Sequence, residues 1–244
     1  MTRLTIATVL GLCLAAPAQV ATVPSRFALV ELFTSEGCSS CPPADALLER
    51  LSTGATRSAQ PIAALSFHVT YWNRLGWTDR FSDEAFTRRQ GAYAKHLGLR
   101  TVYTPQMIVD GEHEFVGSDA DGVDRAVRSA LARSRSTQVT IQARTEGNEV
   151  TARCDVVGAP AGSVLWVAWA DHDDSSSPDS GENQGRHLHH VNVVRALERA
   201  ALRSGSSMSS VQLVRPANSG GSVVAWVQSG DVGPVLAGAV VAVR

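Results

Sequence analysis

Two cysteines, Cys38 and Cys41, stand two residues apart in Cys-Ser-Ser-Cys, and Pro42 and Pro43 follow at once. Three chemistries use this spacing. A zinc knuckle needs a second ligand pair, and the remaining cysteines, Cys13 and Cys154, lie in no CxxC. A structural disulfide can close the small loop, although so short a closure constrains the unfolded chain little. A redox dithiol is the third, and it needs a site that favours thiolate. The residues around the pair supply one. An apolar run at 27–33, broken only by Glu31, reads as a buried strand, and residues 34–37 as a turn. Residues 44–51 carry Leu47, Leu48 and Leu51 on one helical face. Proline is tolerated in the first turn of a helix, where its missing N–H would have no partner. The sulfurs therefore sit at a helix mouth, facing free N–H groups and the positive end of the dipole. Thiols so placed fall to a pKa of roughly 3.5–7.5, from about 8.5 when free. On this reading Cys38 is the more exposed, attacking sulfur, and Cys41, one turn inside, resolves the mixed disulfide.

The following elements must position that pair. Residues 61–67 read as a second buried strand and 68–77 as an aromatic loop holding His68, Tyr71, Trp72 and Trp77. Residues 82–97 read as a helix with acidic residues in its first turn and Gly98 at its stop. Residues 104–109 read as a strand starting at a proline, Asp110-Gly111 as a hairpin turn, and 113–116 as the returning strand. Ser118 or Asp119 caps a third helix. Strand, helix, strand, helix, strand, strand, helix, with CxxC at the first helix and an X-Pro at the third strand, is the order of a thioredoxin fold. In that fold the proline is cis and lies against the CxxC, which assigns those places to Thr104 and Pro105. Pro105 would join the two cysteines as a catalytic residue. Thr104, His68, Tyr71, Trp72 and Trp77 would form the wall that receives the partner. His68 has three readings: proton donor to the dithiol, copper ligand with Cys38 and Cys41, or packed loop residue.

Beyond residue 136 the pattern changes from helical stripes to alternation, and residues 137–244 read as a mainly antiparallel β domain. The expected organisation is a signal peptide at 1–18, a thioredoxin-like α/β domain at 26–136 and this β-rich domain. Residues 193–203 are also compatible with helix. Residues 171–190 hold four of the seven histidines (His172, His187, His189, His190) but no recognised ligand spacing, so they read as a solvated loop and no metal site is assigned. Cys154 reads as a small buried hydrophobe.

Composition bounds the rest. The chain has 244 residues and a net charge of −1. With no long basic run, nucleic acid and anionic membrane surfaces are poor partners. Arg3, an apolar run at 4–16 and Ala16-Pro17-Ala18 form a secretory signal cut after Ala18. The apolar run is too short to anchor in a bilayer, and no other run is long enough to span one. The mature protein is therefore expected to be exported, periplasmic or secreted, where Cys38 and Cys41 can pair.

Residues 30–45 (VELFTSEGCSSCPPAD), 68–81 (HVTYWNRLGWTDRF), 103–111 (YTPQMIVDG), 181–197 (GENQGRHLHHVNVVRAL) and 223–228 (VVAWVQ) resemble an uncharacterised family of exported thioredoxin-like proteins, defined as a domain of unknown function. The chain departs from the family pattern at Thr70 and Asn73, where acidic residues are typical, and at Arg80, where proline is. The resemblance implies a thioredoxin fold with a C-terminal β extension and implies no substrate.

The expected function is an exported thiol–disulfide oxidoreductase acting on protein thiols or disulfides without a cofactor. The alternatives are a non-catalytic binding module with a structural disulfide, and a copper-handling protein.

Overall fold

The computed structural model describes residues 19–20, 26–217 and 219–243. The signal expected at 1–18, with Cys13, lies outside the described residues. The chain runs β1 (Gln19–Val20), β2 (Ala28–Thr34), α1 (Pro42–Ser58), β3 (Ile62–His68), a 3-10 helix (Thr70–Leu75), α2 (Glu84–His96), β4 (Gln106–Val109), β5 (His113–Val116) and α3 (Ala120–Ala132). Strands β6 (Gln138–Glu146), β7 (Glu149–Ala159), β8 (Ser163–Ser176), β9 (Leu188–Ala201), β10 (Gly205–Val214), β11 (Gly221–Ser229) and β12 (Val235–Val243) follow. No helix among the described residues is long and apolar enough to cross a membrane.

Strand β2 is the centre. It pairs in parallel with β3 on one side and antiparallel with β4 on the other. Both its faces are covered, which is why its sequence reads as a continuous apolar run. Ala28, Val30 and Leu32 pack with Leu47 and Leu48 of α1 and Val123 of α3. Phe27, just before the strand, and Leu29 and Phe33 pack with Phe86 and Tyr93 of α2. The helix ends follow ordinary capping chemistry. Asp83 accepts from Ala85 N–H at 2.7 Å, and Asp119 from Gly122 N–H at 3.0 Å.

The expected fold class, a thioredoxin-like α/β domain followed by a mainly antiparallel β domain, is corrected. The molecule is mostly β, and one eight-stranded mixed sheet takes strands from both stretches, in the order β12-β11-β8-β9-β3-β2-β4-β5. The cause is at the outer edge of β3. Had that edge been left free, β2 to β5 would have formed a sheet of their own. Instead β3 accepts β9 in parallel through Ser66 and Val193. Asn192, with a left-handed φ of 49°, turns its side chain to donate to Ala64 O at 2.9 Å. A single registered pair joins the two halves of the sheet at this junction, and both halves contribute to one core. Trp226, Val224 and Ala168 from the later strands lie among Phe27, Leu65 and Phe67 from the earlier ones. The closure is tight at Gly238, where any Cβ would collide with the Phe27 ring. Residues 193–203, compatible with helix by sequence, are mostly strand β9.

The second sheet, β1-β6-β7-β10, covers the far face of β8, β11 and β12. Cys154 is buried there among Ile141, Val167 and Leu213. Arg135 lies where the helical stretch ends. It donates to Phe27 O and Asp110 Oδ2 at 2.5 Å each, and also to Val235 O, so one guanidinium ties β2, β4 and β12 together.

Candidate functional site

Cys38 and Cys41 are joined by a disulfide. Cys41 is the N-cap of α1 and its backbone is already helical, with φ −77° and ψ −36°. Its carbonyl accepts from Ala44 N–H at 2.8 Å and from Asp45 N–H at 3.1 Å. The Pro-Pro pair thus does what its sequence implies, starting the helix directly behind the sulfurs.

The expectation that Cys38 is the exposed sulfur is corrected. Both cysteines are 0% exposed. The cover is a strap formed by residues 177–187, between β8 and β9. Glu182 Oε2 accepts from Ser39 N–H at 3.1 Å and from the Ser39 hydroxyl at 2.6 Å. Asn183, itself buried, donates from Nδ2 to Glu36 O at 2.8 Å and to Cys38 O at 2.9 Å. Ser180 donates to Gly76 O at 2.8 Å. Gly181, at φ +77°, lies against Trp77, where a larger residue would be strained. The stretch expected to be a solvated loop is therefore partly strand and partly this strap.

Several of the expected wall residues come together. Trp72 donates from Nε1 to Thr104 Oγ1 at 2.7 Å, and a Cβ on Gly37 would stand 3.1 Å from Trp72 Cβ. Trp77 donates to Glu36 Oε2 at 2.7 Å. Thr104–Pro105 is cis. Gly117 fits between Pro105 and the first turn of α1, with ideal Cβ distances of 2.8 Å to Pro105 and 2.9 Å to Ala44. Tyr71 donates to Gln90 of α2 at 3.2 Å and also lies against the Thr104 side chain.

Next to the disulfide lies a buried ionisable cluster that the sequence reading did not assemble. Its members are Glu36, Asp45, His68, Asp79 and His190. His68 Nδ1 is 2.7 Å from Asp79 Oδ2. The two imidazoles meet edge to face, with centroids 4.7 Å apart, and the Phe81 ring packs on both. His190 Nε2 stands 3.6 Å from Glu36 Oε1, and its Nδ1 stands 3.9 Å from Asp45 Oδ2. Those separations are too long for hydrogen bonds. Both its nitrogens and Nε2 of His68 have no hydrogen-bond partner.

The three carboxyls respond differently. Burial pushes Asp45 up to about 6, against the opposing pull of the His190 charge and the Thr34 hydroxyl. Burial also acts to raise Glu36, but His190, the Ser176 hydroxyl and the Trp77 N–H together hold it below the usual carboxylate range. Asp79 is likewise held low, because His68 and the N–H groups of Glu36 and Phe81 outweigh its burial. Among the described residues, no three Cys, His, Asp or Glu side chains are grouped so as to hold a metal ion.

Some of this was findable. Asp45 lies four residues after Cys41, the spacing of one helical face. His190 and Asn183 come from more than a hundred residues away, and no local pattern points to them.

Residues 29–228, which span every part of this site, match a family described as "Protein of unknown function (DUF1223)". The chain belongs to this family. It is also similar to a protein of Agrobacterium tumefaciens whose X-ray structure was determined as a structural-genomics target. The two are 30% identical, the match covers 88% of this chain and 93% of that one, and the TM-score is 0.64. No curated protein matches. The family span takes in both the cysteine pair and the strap that covers it.

Proposed function

We propose that this DUF1223 protein is an exported thiol–disulfide oxidoreductase acting through Cys38 and Cys41 on protein thiols or disulfides. The observation that carries this reading is the company the disulfide keeps. Five buried ionisable side chains lie beside it, and three of their imidazole nitrogens lack a partner. An unsatisfied buried polar group costs about 1–3 kcal/mol, so such groups persist chiefly where chemistry uses them. A staple alone needs none of them. Cys38 is the sulfur first attacked and Cys41 the resolving one. Thr104 and Pro105 position the partner's backbone, while His68, Trp72 and Trp77 wall the site. Tyr71, beside Thr104, belongs to the same wall and bonds Gln90 of α2.

The test is the reduction potential of the pair, equilibrated against glutathione. Exchange-active pairs lie between roughly −120 and −270 mV, and structural disulfides usually lie below about −300 mV. Cys38→Ala is expected to abolish exchange and leave the fold intact. Exchange retained by that variant would sink the reading.

The burial of both sulfurs favours a second reading, a binding module in which the disulfide is structural. A potential below about −300 mV would select it.

A further inference from the structure

We propose that Asp45 is the proton donor and acceptor for the Cys41 sulfur, and that His190, delivered by strand β9, is the positioning residue that sets its working range. This rests on the oxidoreductase reading. Disulfide exchange moves protons as well as electrons. A partner thiolate attacks Cys38 Sγ, the S–S bond breaks, and Cys41 leaves as a thiolate that needs a proton. The partner's second thiol then loses its proton, attacks the mixed disulfide and releases Cys38. Two electrons and two protons pass from the partner's two thiols to the pair. Cys38 has the exposed Ser40 hydroxyl at 3.4 Å as a route to water. Cys41, buried to the same extent as Cys38, needs a proton source inside the protein.

The geometry supplies one. Cys41 and Asp45 stand at i and i+4 with the helical hydrogen bond between them formed, which places their Cβ atoms on one face roughly 5–6 Å apart. Thr34, at the end of β2, holds Asp45 Oδ1 at 3.0 Å. Asp45 Oδ2 is left facing His190. The groups around Asp45 come from every neighbouring element. His190 comes from β9, His68 from β3, Glu36 from the turn after β2 and Asp79 from the segment before α2. Arg80 and Arg195 stack on the Phe81 ring that packs against both histidines. A carboxyl raised to about 6 is partly protonated near neutrality, so it can both give and take a proton. A positive His190 lowers it, so removing His190 moves it upward.

The experiment follows reduction of the full-length protein by glutathione across pH 4.5–8. The wild type is expected to show an inflection near pH 6. Asp45→Asn should lose that inflection and react about a hundredfold more slowly. In His190→Gln the inflection should persist at higher pH, a shift that a merely structural role would not produce. An unchanged profile in Asp45→Asn overturns the proposal. A second measurement separates it from the oxidoreductase reading: the ¹³C titration of the Asp45 carboxyl in oxidised and phosphine-reduced wild type. A midpoint that moves on reduction supports proton coupling, even if glutathione exchange is absent and the oxidoreductase reading falls. Equal midpoints overturn it, whatever the exchange rate.

Discussion

The Glu31–Arg89 pair starts from strand β2 and the Glu36–Asp45–His190 group from the turn just after it, five residues on, and both put ionisable groups where water does not reach. Around Arg89 every bond is made. Its Nε donates to Glu31 Oε1 at 2.6 Å, and its Nη2 reaches Glu31, the Tyr93 hydroxyl and Gln228 at 3.1 Å each. Trp166 and Trp226 stack on the guanidinium. Around His190 almost nothing is made: its nearest carboxylate oxygens stand at 3.6 and 3.9 Å. A fully satisfied network fixes one arrangement, while an unsatisfied one keeps titratable atoms available at a local cost in stability. The contrast assigns the first to architecture and the second to chemistry.

Breaking the completed network should have the largest effect. Arg89→Met leaves the buried Glu31 carboxyl without its guanidinium partner and with only the Tyr93 hydroxyl, at an expected cost of about 3–5 kcal/mol in urea unfolding. A loss below about 1 kcal/mol would erase the distinction between the clusters. The incomplete network should behave in the opposite way. Asp45 has a folded pKa raised from 3.8 to about 6, so the native state binds its proton more tightly than the unfolded chain does. Its contribution to stability therefore falls as pH rises from about 4 to about 6. At pH 7 the ionised carboxylate weakens the fold by up to about 3 kcal/mol, at 1.36 kcal/mol per pH unit. Glu36 and Asp79 are held low, so their contribution runs the other way and is lost as pH falls. The difference between wild type and Asp45→Asn isolates the Asp45 part. The variant should be the more stable at pH 7, and the gap should close toward pH 4.

Smaller effects sharpen the picture. Removing the strap contacts in a Glu182→Ala, Asn183→Ala double variant should speed reduction by dithiothreitol several-fold, since it frees the segment around the cysteines from four hydrogen bonds. An unchanged rate would mean that the strap is not what shields the sulfurs. The least effect belongs to Cys154. Burial pushes its thiol up to about 12, so it should resist maleimide at pH 8 until the protein is unfolded.

The first half of this architecture was legible from local signals. The apolar run of β2, the prolines at the start of α1 and the aspartate caps of α2 and α3 each depend on near neighbours. The second half was not. Strands β8 and β9 are 14 residues long and carry their pairing through a polar stretch that reads as a loop. That β9 joins the edge of β3 depends on one registered pair and on the Asn192 side chain, and neither leaves a periodic trace. The site was legible to the same extent. The cysteines and the tryptophans announce themselves by spacing, whereas His190 and Asn183 gain meaning only once β9 and the strap are in place.

The clamp made by Arg135 has a consequence for timing. Its three acceptors lie on Phe27, Asp110 and Val235, so the first long strand and the last are held by the same side chain. A chain emerging from the ribosome can form α1 against β2 early. It cannot close the core around Phe27 until β12, far along the chain, has been synthesised. Non-local closure of this kind is slow and leaves apolar surface uncovered while it waits. The newborn chain is therefore exposed to aggregation throughout the synthesis of the residues between Phe27 and Val235, and a chaperone that holds it unfolded has that same interval in which to act.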